Sequence, residues 1–225
     1  MVDQKGVLNY DYYEGRKKNL ALKYRLSRRT KEVLKGIEKY NGHELDSLLD
    51  IGTADARMLE MLNDELSVQT AVGLDYSADL LHTNPNNDLY LVQSDAVTLP
   101  FKNNSFDVLV ATAVIEHVTD PSQMMRECYR VLRNGGICIL STPDPFFERI
   151  ATKIGHLKDE QHNKTFSLAD LKILVEDEGF QIILAEKFMI SPIGFPLEDV
   201  IESIIRTIGL DFLLLNQLLI GKKLA

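Results

Sequence analysis

No low-complexity tract, internal repeat or long uncharged apolar run interrupts these 225 residues, which excludes a fibrous, solenoid or intrinsically disordered chain. The N-terminus lacks a basic-then-apolar signal pattern, so no export is expected and a cytoplasmic setting follows. Cysteine is scarce. Cys128 and Cys138 fall in a helical and a strand-like segment, as buried thiols would, and no Cys/His cluster has zinc spacing. The apolar stretch from Ile204 to Ile220 is broken by Arg206 and Asp211 and is short for a membrane span. A last strand, or a helix over a substrate pocket, is expected there instead of an anchor.

Glycine is missing where it matters most. The stretch "LLDIGTADARML" (48–59) has the outline of a nucleotide-binding turn, but a dinucleotide loop would need three glycines. The matching positions hold Gly52, Ala54 and Arg57, and Ala56 stands in the same loop. Asp50 and Asp55 would also face a pyrophosphate unfavourably. A ligand carrying an ammonium and a sulfonium, with no phosphate, suits these carboxylates better. An alanine is expected to exclude positive φ here and to narrow the approach to the loop.

The net charge of −8 hides an asymmetry. Residues 1–40 hold 11 Lys and Arg against 5 Asp and Glu, a balance of +6 that leaves −14 for the remainder. The basic arm is either a solvated helix face or a surface for an anionic partner, including peripheral membrane contact. The acidic body argues against nucleic acid.

Periodicity gives the architecture. Leu22, Leu26, Val33, Ile37 and Tyr40 recur at helical spacing within 16–40, and "NGH" (41–43) ends that segment. Strands are expected at 47–52, 68–75, 89–95, 106–112 and 137–142. Helices are expected at 55–65 and 122–132, the latter capped by Asp120 or Ser122, with "NGG" breaking the chain after it. A further helix spans 165–180, with Ser167 as cap, Asp170 at its third position and Gly179 closing it; strands follow at 181–188 and 214–223. Between them lies an amphipathic helix after Pro192, Gly194 and Pro196, which permit a hinge. The alternation defines an α/β fold, a Rossmann-like doubly wound sheet with helices on both faces.

In such a sheet the ligand lies beyond the carboxyl ends of the strands. Asp50, Asp75 and Asp95 sit at those ends, and Glu116 and His117 follow the fourth strand. A carboxylate closing the second strand can accept both hydroxyls of a ribose, and Asp95 can accept from an adenine amine.

These motifs together resemble the class I S-adenosylmethionine (SAM)-dependent methyltransferases, in the group that includes ubiquinone and menaquinone biosynthesis enzymes. "LLDIGTADARML", "VGLDYS", "QSDAVTLPF", "FDVLVATAVIEHV" and "VLRNGGICILSTPDP" follow that family's order over about 45–145, and "HNKTFSLADLKILVEDEGF" extends it to about 190. The resemblance implies seven strands with the last antiparallel, in one domain. Residues 1–44 would be a helical cap, 45–145 the SAM-binding core, and 146–225 a C-terminal part with a substrate-side insertion. It implies that Asp50 and Gly52 line the methionine portion of SAM, with Ala54 in the same cofactor-binding loop, Asp75 the ribose, and Asp95 with Ala96 the adenine, which Tyr76 would cover. Arg16 or Arg25 would meet the cofactor carboxylate.

Glu116, His117 and His162 are the candidate catalytic groups, since a hydroxyl or amine acceptor needs a base. Some quinone O-methyltransferases bind a metal through E-x-x-E-H. Here Ala113 replaces the first carboxylate beside Glu116 and His117, so no metal is expected. His43, His82 and His156 read as surface residues. Leu-, Ile- and Phe-rich flanking segments lean toward an apolar or lipid-like small-molecule acceptor. The alternatives are a non-catalytic SAM-binding or methyltransferase-like partner module and an NAD-dependent oxidoreductase. The latter is disfavoured by the failed glycine pattern.

Overall fold

The structure is a computed structural model that describes residues 19–42, 44–147, 149 and 164–224. The elements in chain order are α1 (Leu20–Tyr40), β1 (Ser47–Ile51), α2 (Arg57–Leu66), β2 (Thr70–Asp75), α3 (Ala78–Leu81) and β3 (Tyr90–Gln93). They continue as β4 (Phe106–Thr112), α4 (Pro121–Val131), β5 (Leu132–Pro143), α5 (Leu168–Asp177), β6 (Gln181–Phe188), α6 (Glu198–Thr207) and β7 (Asn216–Lys222). A short 3₁₀ turn, Asp211–Leu213, precedes β7.

The seven strands form one sheet in the order β3-β2-β1-β4-β5-β7-β6. The pairs among β1 to β5 are parallel, and β7 inserts between β5 and β6 antiparallel to both. This is the expected α/β arrangement with its last strand antiparallel. The order reverses between β1 and β4, so the crevice for a ligand opens there.

Period-two alternation divides each central strand between two cores. Leu49, Leu109 and Leu140 pack with Met124, Met125 and Cys128 of α4 and with Leu171 and Val175 of α5. Leu48, Val108 and Ile139 face the opposite side, against Val33 and Ile37 of α1 and Met58, Leu59 and Leu62 of α2. Truncating one of these buried leucines to alanine costs about 2–5 kcal/mol. Both cysteines are buried and free, on opposite elements α4 and β5.

Local signals set the helix ends. Asp120, rather than Ser122, caps α4 by accepting from the Gln123 N–H at 3.0 Å, with Pro121 in the first turn. Ser167 and Asp170 form a reciprocal capping box on α5. Two expected boundaries move. α2 starts at Arg57, because Ala54 and Ala56 before it are left-handed. The "NGG" stretch does not break the chain: β5 runs from Leu132 through it, with a register shift opposite Phe106–Val108. Gly135 N–H donates to the Lys223 carbonyl, and Lys223 N–H to the Gly136 carbonyl, which satisfies the backbone across the irregularity.

At the amino ends of the central strands, away from the crevice, Asp107 fastens β1 to β4. It accepts from the Ser47 N–H at 2.9 Å and hydroxyl at 2.8 Å, and pairs with Arg133 at 2.7 Å. Burial pushes its carboxyl up, but the Arg133 and Ser47 hydrogen bonds outweigh burial and leave it below the ordinary carboxylate range. Among the described residues no helix is long and apolar enough to cross a membrane.

Candidate active site

The β1–α2 loop is built by hydrogen bonds to the neighbouring strand. Gly52 N–H and Thr53 N–H both donate to the Leu74 carbonyl of β2, at 2.7 and 3.0 Å. Thr53 turns its hydroxyl onto the buried Asp50 carboxylate at 2.6 Å. Gly52 has φ +72°, and a Cβ there would meet Val114 Cγ2 at 2.2 Å, so the residue is fixed twice over as glycine.

The two alanines depart from the expectation. Ala54 and Ala56 both take positive φ, +53° and +56°. The methyl groups do not exclude the left-handed conformation; they only make it cost about 1–2 kcal/mol per residue. The surroundings meet that cost: Ala54 N–H donates to Asp75 Oδ2 at 2.8 Å, and Ala56 N–H to the Thr53 carbonyl at 2.9 Å. Both side chains are buried. The loop therefore has a glycine-type path without those glycines.

Asp75 closes β2 and accepts twice, from Ala54 N–H on Oδ2 and from Ser77 N–H on Oδ1, each at 2.8 Å. A carboxylate has about four lone-pair sites, so each oxygen retains capacity for a hydroxyl donor. Asp95, after β3, accepts from the Val97 N–H at 3.1 Å beside the buried Ala96. Tyr76 is 43% exposed, beyond the β2 end. Asp55 turns away from the loop: its buried carboxylate pairs with Arg57 Nε at 3.2 Å. The charge it was expected to present to a ligand is thus met within the protein. The donor set is a carboxylate at each of three strand ends plus a tight loop, which fits the methionine, ribose and adenine portions of SAM.

A cleft of about 530 Å³ lies on the outer side of this loop, lined by Leu26, Asp55, Arg57, Met61 and Pro85 among others. It touches none of Asp50, Asp75 or Asp95.

Beyond β4 the chain turns through Ala113, at φ +56°, whose N–H donates to the Ser141 carbonyl of β5. The turn delivers Glu116 to the interior, 2% exposed. Burial raises its carboxyl above the usual range, opposed by the charges of His117 and Arg29 and by the Thr142 hydroxyl. Among the described residues neither carboxyl oxygen has a donor in good hydrogen-bond geometry, and its own backbone N–H and the Thr142 hydroxyl only partly offset burial. His117 is half-buried beside it. Arg29 reaches over from α1 and donates to Asn216 Oδ1 at 3.2 Å, at the start of β7. Lys164 N–H donates to the Glu116 carbonyl at 3.1 Å.

The structure thus brings Asp50, Gly52, Ala54 and Asp75 into one hydrogen-bonded unit. Asp95 and Ala96 follow the neighbouring strand. Glu116 and His117 lie past the end of β4. His162, Arg16, Tyr12, Tyr13, His43 and His156 lie outside the described residues. Arg25 is half-buried on α1, its Nε buried with no hydrogen-bond partner. Among the described residues no group of three or more His, Cys, Asp or Glu could hold a metal ion. Sequence reasoning missed Thr53, Val114, Arg29 and Thr142. Thr53 alone carried a signal, as the hydroxyl three residues after Asp50 in the turn.

Comparison with known proteins places the chain beside methyltransferases. Residues 49–140 match the family model described as a methyltransferase domain. A probable S-adenosylmethionine-dependent methyltransferase of Mycolicibacterium smegmatis is 31% identical over 141 residues, covering 60% of this chain and 52% of that protein. A demethylmenaquinone methyltransferase of Staphylococcus haemolyticus is 32% identical over 143 residues, covering 52% of this chain and 60% of that protein. The chain therefore spans between half and three-fifths of the length of these relatives. The crystal structure of a SAM-dependent methyltransferase from Archaeoglobus fulgidus superposes with a TM-score of 0.66 at 22% identity, covering 96% of this chain and 100% of that one. At that identity the likeness concerns the fold.

Proposed function

We propose, from the premise that this chain carries a class I SAM-dependent methyltransferase domain over residues 49–140, that it transfers a methyl group from SAM to a small, apolar or lipid-like acceptor. The observation that carries this reading is the loop Gly52–Ala56 held onto Asp75, with Asp50 and Asp95 at the flanking strand ends.

When bound, SAM supplies an electrophilic methyl on a sulfonium. The chain's own contribution is to align, to exclude water and to manage a proton. Asp75 would accept the ribose hydroxyls while staying fixed by two backbone donors. Asp50, held by Thr53, and the Gly52–Ala54 backbone would line the methionine portion. Asp95 and Ala96 would border the adenine, with Tyr76 on its open side. Arg25 is suited to the cofactor carboxylate. Burial raises the proton affinity of Glu116, the direction that strengthens a general base, and His117 beside it can share or relay the proton. Such a base would take the proton from an acceptor hydroxyl as its oxygen attacks the methyl carbon. Burial of Glu116 keeps that step away from water. The division into a cap before residue 45, a cofactor core over 45–145 and a substrate-side part after it goes with this reading.

The test is transfer of labelled methyl from SAM to a panel of phenolic, quinol and fatty-acyl acceptors, with Glu116→Gln and His117→Ala beside the wild type. The reading expects product with an apolar acceptor and a fall in kcat of about 100-fold or more in one of the two variants. Tight cofactor binding with no product from any acceptor would favour a non-catalytic binding module.

A further inference from the structure

Helix α6 buries two acids beside Ile205 and leaves an apolar stripe in solvent. Glu202 is fully enclosed and Glu198 nearly so. Glu202 pairs with Arg28 of α1 at 2.6 Å and accepts the Met189 N–H at 2.8 Å. Glu198 accepts from the Ile190 N–H at 3.1 Å and from the Tyr24 hydroxyl, and Asp199 pairs with Lys31. These bonds fasten α6 to α1 through charge. The apolar positions Val200, Ile204 and Ile208, one stripe at four-residue spacing, are instead 53–60% exposed. A surface helix ordinarily does the reverse.

The stripe continues on both sides. Ile193, Phe195 and Leu197 precede it and Leu210, Phe212 and Leu213 follow, all exposed. Gly194 sits against the Tyr24 ring, so close that a Cβ there would fall 2.3 Å from it. Leu20, one turn before Tyr24 on α1, is exposed too. Leu197 is the most informative of the set. It is 73% exposed, takes φ +64°, and occupies the N-cap of α6 without a side-chain hydrogen bond. Glycine, asparagine or aspartate would all suit that position better. A leucine there gains nothing inside the fold, so its advantage lies outside it.

The neighbouring helix selects the occupant. α1 carries seven Lys and Arg against two Glu. Lys31 and Lys35 fall on the same helical stripe as Leu20 and Tyr24, half-exposed although paired with Asp199 and Glu32, and Lys23 is exposed as well. An exposed apolar ridge beside a basic helix, on a chain of net charge −8, has the composition of an interfacial surface. We propose that the α1–α6 ridge docks on an anionic lipid bilayer, with the apolar side chains entering the headgroup boundary and Lys23, together with the half-exposed Lys31 and Lys35 exchanging their carboxylate partners, meeting lipid phosphate.

The test is co-sedimentation of the purified chain with phosphatidylcholine vesicles, with and without phosphatidylglycerol, at low and high salt. The wild type is expected to sediment with the phosphatidylglycerol vesicles and to be released by salt. Leu197→Asn is expected to lower the partition about tenfold, and the pair Leu197→Asn/Ile204→Ser about 100-fold. Leu197→Asn relieves the left-handed leucine, so its melting temperature should equal or exceed that of the wild type. Opposite movements of stability and vesicle binding would not come from a structural role. S-adenosylhomocysteine affinity is expected to stay unchanged in both variants, which separates this inference from the methyl-transfer reading. Wild type remaining in the supernatant would overturn the proposal, as would variants that bind vesicles equally well. So would sedimentation equilibrium showing a wild-type dimer that the same variants convert to monomer, because the ridge would then face a second copy.

Discussion

The amide of Ala54 donates to Asp75 Oδ2 at 2.8 Å, and this bond ties the cofactor loop to the carboxylate that ends β2. The residue expected to read the ribose also holds the loop in shape. Asp75→Asn leaves one acceptor oxygen for two backbone donors. It should therefore lower stability by about 1–2 kcal/mol in urea denaturation, through the unsatisfied N–H. An unchanged midpoint would show that the loop keeps its conformation without this bond.

At Ala54 the two sides of a glycine substitution nearly cancel. Relief of the left-handed alanine returns about 1–2 kcal/mol, against about 0.8 kcal/mol for the buried methyl and about 0.4–1 kcal/mol of unfolded-chain entropy. Ala54→Gly should leave stability within about 1 kcal/mol of wild type. Cofactor affinity should not improve by more than a few-fold. Ala54→Val places a β-branched residue at φ +53° and should cost about 2 kcal/mol or more. Thermal melts of the pair distinguish these outcomes; a fully stable valine variant would contradict the loop geometry.

Gly52 and Val114 form a second coupled pair, across the crevice between β1 and β4. Gly52→Ala drives its Cβ into Val114 Cγ2, and about 2–4 kcal/mol of stability should be lost. Val114→Ala removes the obstructing methyls. The double variant should recover a measurable part of the loss, leaving only the cost of alanine at φ +72°. Strict additivity in a double-mutant cycle would mean the two side chains do not meet.

Burial raises the Glu116 carboxyl, so its protonated form is favoured in the folded state. Below the ordinary carboxylate range both states hold the proton and the group contributes fully. As pH rises, the unfolded chain ionises first, and stability is lost until the folded pKa is passed. Glu116→Gln cannot ionise. Its melting temperature should therefore gain on wild type as pH rises from about 4 to about 8. A gap that stays constant across that range would mean Glu116 ionises as an ordinary surface acid.

The sheet and the strand-end acids were legible because their signals are local. Apolar runs and a closing aspartate define β1 and β2, and Ser167 with Asp170 marks α5. The loop conformation was not. Propensity assigns positive φ to glycine, and only the tertiary hydrogen bonds of Ala54 and Ala56 explain why alanine accepts it here. Glu116 was legible as a candidate base after the fourth strand but its burial was not, since nothing in "AVIEHV" tells which way a turn will point its side chain. α6 was legible as amphipathic, but the two glutamates it buries were not. The partners of its acidic residues, Arg28, Lys31 and Tyr24, lie about 170 residues earlier in the chain. Gly135 and Gly136 looked like a break, yet the backbone of Lys223 pairs with both and keeps β5 continuous.

The most direct measurement is a calorimetric titration of the full chain with S-adenosylhomocysteine, beside Asp75→Ala. The account predicts micromolar binding by the wild type and a loss of at least about 100-fold in the variant, with its fold intact by circular dichroism. No heat of binding from properly folded wild type would contradict it, and would show that a loop bearing Ala54 and Ala56 keeps the shape of a cofactor site without its affinity.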